Sequence, residues 1–365
     1  MIKLLILLPL IILGFLVWTI KNNYLPKGQP VPAIPKVNLP SVPLPSPKPT
    51  LVAPPSSKVL PNNYHIFQSF NNCGPAALSM ALSYYGINVS QQQLGQDLRP
   101  YQVPGGDNDD KSVTLEELAE KSKDYGFTPY HRPGGNIDII KMFIAYDIPV
   151  IARTWLRAND DIGHYRIIKG YDQTTSEIIQ DDSLQGKNLR YSYPEFDAIW
   201  KKFNYEYLVL VPKDKEYIVK SILNQNADAE KSWSLAAQNA RKELEKDSND
   251  IAARFNLSVA LYNTGDYQKS IEEFEKVENL LPFRTLWYQI EPIQAYYQLG
   301  RFDKVFSITD KVLAYHNRAF SELYLLRGEI YKKQGQPQLA RSEFQKAVLY
   351  NQNLKAAQDA LNSLN

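Results

Sequence analysis

The stretch Gln68-Ser69-Phe70-Asn71-Asn72-Cys73-Gly74-Pro75-Ala76-Ala77-Leu78-Ser79-Met80-Ala81-Leu82-Ser83-Tyr84-Tyr85-Gly86 holds the only cysteine of the 365-residue chain and sets it at a helix start. Asn72 suits an N-cap, Pro75 the first turn and Gly86 a helix stop. A thiol at that end of a helix faces the positive pole of the dipole, which favours the nucleophilic thiolate. The plainer reading of Cys73 is a small buried hydrophobe. The helix start and the Gly-Pro that follows favour function. A single cysteine leaves no intramolecular disulfide.

Well downstream comes Gly163-His164-Tyr165-Arg166-Ile167-Ile168-Lys169-Gly170-Tyr171-Asp172, a histidine leading an apolar strand, and after it Gln180-Asp181-Asp182-Ser183. A cysteine, then a histidine, then a carboxylate is the chain order of papain-like cysteine hydrolases. His164 is a base for the thiol, and either Asp181 or Asp182 would orient its imidazole. Alternation along a strand lets only one of the two face the histidine. His65, His131 and His316 compete poorly: they lie beside a linker, in a loop-like stretch and in a helical array.

The region from Gln68 to Asp182 resembles the bacteriocin-processing type of papain-like cysteine peptidase, which cuts double-glycine leaders, and its stand-alone relatives. The resemblance rests on Gln68 with Asn72-Cys73-Gly74-Pro75-Ala76, on Gly163-His164-Tyr165 with Gly170-Tyr171-Asp172, and on Gln180 to Ser183. It implies an α+β papain-like domain in which Cys73 attacks a carbonyl and His164 moves the proton. It also implies Asp182 as the orienting carboxylate, because the family places its aspartate before a small residue or proline at a strand end. Gln68 would donate to the oxyanion beside the Cys73 backbone N–H. A peptide or protein is the implied substrate. No Gly-x-x-x-x-Gly-Lys-Ser/Thr occurs, so leader processing coupled to an ATP-binding cassette is not expected. Two alternatives stand beside the peptidase: another thiol acyl transfer, such as one acting on cell-wall peptide, and a silent peptidase-like fold serving as an interaction module.

Around this domain, placed at residues 61–213, the text changes character. Capping patterns at Thr114 and Ser192 start helices, and Ile137 to Tyr146 reads as another. Strands are expected at Ile148–Arg153, Tyr165–Tyr171, Ser176–Gln180 and Tyr207–Val211. From residue 229 to the end the chain reads as all-helical repeats, with Gly265, Gly300 and Gly335 spaced by 35 residues. The pattern looks like the tetratricopeptide repeat, with a degenerate middle copy. Its groove is expected to bind a peptide or protein partner, with Asn256, Tyr288 and Arg327 as candidate contacts. The plainer role is to shield the neighbouring domain.

Leu4 to Ile20 is almost wholly apolar between Lys3 and Lys21, so residues 1–21 are expected to be an uncleaved transmembrane helix. Residues 22–60 are a proline-rich linker that reaches roughly 100 Å when extended. The lysines after the span would hold the domains in the cytoplasm, whereas the short charged start resembles a secretory n-region; extracytoplasmic domains are the expectation. A net charge of +2 gives no footprint for nucleic acid. No cofactor or metal is expected, since the acidic run Asp107-Asn108-Asp109-Asp110 lacks a calcium-loop register.

Overall fold

The computed structural model describes residues 51–103, 113–314 and 317–364. The apolar segment 1–21, most of the linker, the acidic run 107–110 and His316 lie outside them. Among the described residues no helix is long and apolar enough to cross a membrane.

Short β-branched and aromatic runs build an antiparallel sheet from β1 (Ser57–Val59), β2 (Thr128–Arg132), β3 (Val150–Arg157), β4 (Asp160–Asp172), β5 (Glu177–Asp182), β6 (Gly186–Ser192) and β7 (Tyr207–Val211). The strand order is β2-β7-β3-β4-β5-β6, with β1 added to β4. Placing residues 22–60 wholly in the linker needs correction here. Ser57, Lys58 and Val59 pair with Asp172, Tyr171 and Gly170. A three-residue strand behind a proline run is too short to show alternation.

Period-two alternation sends the strands' apolar side chains to both faces. Ile151, Ile167, Leu208 and Leu210 pack against α1 (Cys73–Ser83), α2 (Gln91–Leu98) and α3 (Leu115–Lys123). Val150, Ile168, Val209 and Val211 pack on the other side against α4 (Ile137–Ala145), α5 (Tyr193–Trp200) and α6 (Glu216–Leu223). Every α1 residue from Cys73 to Leu82 is buried, which suits a helix apolar on all sides. Gly74 permits this closeness: a Cβ there would fall 2.3 Å from a Val113 methyl carbon. The capping boxes at Thr114 and Ser192 are both formed. Asn72 occupies the N-cap position of α1 but makes no capping bond; its amide bonds Ser69 and Gln102 instead.

The remaining chain is helical: α7 (Ala229–Lys246), α8 (Ile251–Asn263), α9 (Tyr267–Glu275), α10 (Thr285–Tyr288), α11 (Glu291–Gln298), α12 (Phe302–Leu313), α13 (Ser321–Lys333), α14 (Pro337–Tyr350) and α15 (Lys355–Asn362). Gly265, Gly300 and Gly335 make the turns between paired helices at φ of 79°, 69° and 70°.

The array touches the sheet domain at both ends and in the middle. Ser232 bonds the Pro133 carbonyl. Lys201 pairs with Glu243 and Asp250. Asn353 donates to the carbonyls of Gln96 and Asp97, and Tyr350 meets Tyr101 edge-on. The three residues expected to meet a peptide partner are therefore engaged within the chain. Asn256 accepts from Asn204 N–H and donates to the Lys201 carbonyl, Tyr288 packs on Gly163, and Arg327 bonds Glu343, Thr309 and Asp310. Repeat periodicity carries no sign that Asn256 and Tyr288 meet the sheet domain or that Arg327 is held by its own repeat helices. Asn256→Ala would leave buried partners unpaired at this interface. It is expected to cost about 1–3 kcal/mol, seen as a lower urea midpoint at unchanged slope.

Candidate active site

Cys73 is the first residue of α1 and is 6% exposed. β4 brings His164 to it, and the Cys73 side chain hydrogen-bonds the imidazole. Nε2 of His164 lies 2.9 Å from Oδ1 of Asp182. With Nε2 so held, Nδ1 is the ring atom left for the thiol.

Strand register decides between the two aspartates. Asp182 pairs with Arg166 and Asp181 with Ile167. His164 and Arg166 are two apart on β4, so Asp182 shares their face and reaches both. Asp181 points to the opposite face, where Lys169 Nζ meets its carboxylate at 2.7 Å. A bulge between Ile168 and Gly170 falls at Lys169.

Asp182 is a fully buried carboxylate with a complete set of donors. Its Oδ1 also accepts from the N–H groups of Leu184 at 2.7 Å and Gln185 at 2.9 Å. Its Oδ2 accepts from Arg166 Nη1 at 2.5 Å. Burial alone would raise its pKa, but the hydrogen bond and charge of His164, the charge of Arg166 and the Leu184 N–H outweigh that and hold it at about 2. Burial likewise disfavours the imidazolium of His164, yet the bonds and charges of Asp182 and Cys73 prevail and raise its pKa. The site thus favours a charged imidazole beside the thiol.

Arg166 was not among the residues expected from sequence. It is fully buried, bonds Thr154 Oγ1 at 3.0 Å and the Leu156 carbonyl at 2.6 Å, and stacks on Tyr191. It fixes the carboxylate that fixes the imidazole. Its sequence signal is the two-residue step from His164 within an apolar strand.

Gln68 lines the same cleft as Cys73 and His164. Its Oε1 accepts from Ser183 Oγ at 2.8 Å, and its backbone N–H donates to the Ser183 carbonyl at 2.7 Å. The side-chain oxygen is thereby occupied, and the NH₂ is the end available as a donor. His65 bonds the Asp182 carbonyl oxygen, and His131 lies against Glu206; neither is brought to Cys73. Among the described residues no group of three or more His, Cys, Asp and Glu side chains is placed to hold a metal ion.

A cysteine at a helix start, facing a strand histidine backed by an aspartate, on an antiparallel sheet with flanking helices, is the arrangement of a papain-like domain. Residues 57–208 match the family described as Peptidase C39-like, and residues 251–280 and 321–354 match the tetratricopeptide repeat. The chain therefore carries a Peptidase C39-like domain followed by tetratricopeptide repeats. Among solved structures it is similar to a protein described as a C39-like peptidase from Bacillus anthracis, with 19% identity over 43% of this chain and 98% of that one and a TM-score of 0.34. It is similar to the peptidase domain of Streptococcus ComA, a bifunctional ABC transporter, with 21% identity over 43% and 98% and a TM-score of 0.32. The helical part is similar to a thermophilic tetratricopeptide-repeat protein of Thermus thermophilus, with 18% identity over 37% of this chain and 73% of that one and a TM-score of 0.29. No curated protein matches the chain.

Proposed function

We propose that this chain is a cysteine peptidase whose catalytic residues are Cys73, His164 and Asp182, with Gln68 at the oxyanion. The observation that carries this reading is the connected line from the Cys73 thiol through His164 to a buried, ionised Asp182. The thiolate attacks the peptide carbonyl carbon, and charge collects on the oxygen, where the Gln68 NH₂ and the Cys73 backbone N–H are the donors. The imidazolium passes its proton to the departing amine as the C–N bond breaks, leaving a thioester. Water, deprotonated by the now neutral His164, attacks the thioester, and the thiolate is regained as the acid leaves. Asp182 holds the ring in one tautomer throughout. The test is incubation with a mixed peptide library, reading new amino termini by mass spectrometry. Termini that form equally with Cys73→Ala would refute the assignment.

The N-terminal segment supports a location for this activity. Residues 4–20 anchor the chain in a bilayer, and the proline-rich linker carries the domains into the extracytoplasmic space. Protease added to intact cells is expected to remove the domains. Protection until lysis would place them in the cytoplasm instead.

A further inference from the structure

The middle repeat departs from its neighbours where it meets the Cys73 cleft. Its first helix is broken into the four-residue α10 and the separate α11, and the repeat matches flank this region without including it. The broken piece is fastened to the catalytic domain. Arg284 donates its backbone N–H and its guanidinium to Asp161 at 3.0 and 2.9 Å. Arg153, buried on β3, donates to the Tyr288 carbonyl at 2.7 Å, and Gln289 reaches the Lys202 carbonyl at 3.3 Å.

This places the Tyr288 ring beside the candidate catalytic histidine. The ring lies flat enough on Gly163 that a Cβ there would fall 3.0 Å from two ring carbons. Tyr288 is 6% exposed and meets Phe203 edge-on. It borders two spaces. One is the cleft of about 60 Å³ that holds Cys73, His164 and Gln68. The other is a cavity of about 180 Å³ lined by Trp155, Phe203, Phe255 and Leu281. A space of the first size is worth about two waters of liquid volume, whereas an apolar cavity near the second size accepts a benzene ring.

We propose that Tyr288 is a specificity-determining residue lent by the repeat array: its ring partitions the Cys73 cleft from the neighbouring apolar cavity and limits the size of the group admitted beside the thiol. The inference rests on Cys73 as the reactive nucleophile, but it does not need peptide hydrolysis to be tested.

Because Cys73 is the only cysteine, alkylation of the full chain reports on this site alone. Rates are measured with iodoacetamide and with an iodoacetamide bearing an N-naphthyl group, for the native chain and for Tyr288→Ala, Tyr288→Leu and Tyr288→Phe. The ratio of naphthyl to parent rate is expected to rise about tenfold in Tyr288→Ala and less in Tyr288→Leu, and to stay at the native value in Tyr288→Phe. A ratio within twofold of native in folded Tyr288→Ala overturns the proposal, and so does a Tyr288→Phe ratio that departs from native. If the alanine variant does not fold, an unchanged ratio in Tyr288→Leu is decisive against it. A native chain that alkylates but hydrolyses no peptide would remove the peptidase reading while leaving this ratio interpretable.

Discussion

Cys73→Ala in the full chain is expected to abolish peptide hydrolysis, a loss of about 10⁴- to 10⁶-fold, and His164→Ala is expected to lose nearly as much. The two side chains act as one unit, so the double variant should be little worse than either single one. The substitution at Cys73 removes one sulfur from a position that is 6% exposed, so the fold should survive it. The pH profile adds a readout that lost structure would not imitate. His164 titrates above its usual 6.5 because the bonds and charges of Asp182 and Cys73 outweigh burial. The imidazolium therefore persists to higher pH than in the unfolded chain and is lost as pH rises through the elevated folded value. Its contribution to stability follows the same course. The basic limb of the rate profile should lie above pH 6.5, and Asp182→Asn should move it downward. A limb that does not move, or a Cys73→Ala variant retaining a tenth of the native rate, would exclude the ion pair as the source of activity.

Much of this site is legible in the sequence because its chemistry coincides with strong local signals. Cys73 is placed by a helix start, His164 by the head of an apolar strand, and Thr114 and Ser192 by capping boxes that do form. What was hidden is held by pairing across the chain. β4 begins at Asp160 instead of Tyr165, because the polar run Asp160-Asp161-Ile162-Gly163 is sustained by β3 and not by its own pattern. β2 carries Pro129 at a sheet edge, where a missing N–H is tolerated, and so reads as a loop. The family resemblance singles out Asp182 over Asp181, but the physical reason is the β4–β5 register, which no single-strand pattern specifies. Tyr288 reads from sequence as a groove contact, and its place at the cleft left only an indirect trace: the middle repeat is degenerate where its helix breaks. A repeat that departs from its consensus beside a catalytic domain is thus a place to look for a contact the consensus cannot make.

Arg166→Met is expected to be the most destabilising single change at the site, by about 3–5 kcal/mol, because it strands a buried carboxylate. Both Arg166 and Asp182 are fully buried. Methionine matches the stem but offers nothing to Oδ2 of Asp182, to Thr154 or to the Leu156 carbonyl. The pH dependence fixes the cause. Asp182 has its pKa lowered from 3.8 to about 2, with burial opposing and His164, Arg166 and the Leu184 N–H prevailing. Its depressed pKa therefore contributes stability that is complete above the unfolded value near 3.8 and is lost as pH falls toward 2, a term of about 2 kcal/mol. Without Arg166 the carboxylate should take up a proton at higher pH, so the variant should have less of this stability left to lose on acidification than the native chain. Urea titrations of native and variant chains at pH 7 and pH 3 measure this, and the gap between them should narrow at the lower pH. Adding Asp182→Asn to Arg166→Met should recover part of the loss at pH 7, since a neutral amide tolerates burial better than an unpaired carboxylate. A cost below about 1 kcal/mol at pH 7, or a gap that does not change with pH, would mean that Arg166 packs the strand without holding the charge. In that case the Asp182 carboxylate that holds His164 would be kept ionised by the imidazole and by the Leu184 and Gln185 N–H groups without Arg166.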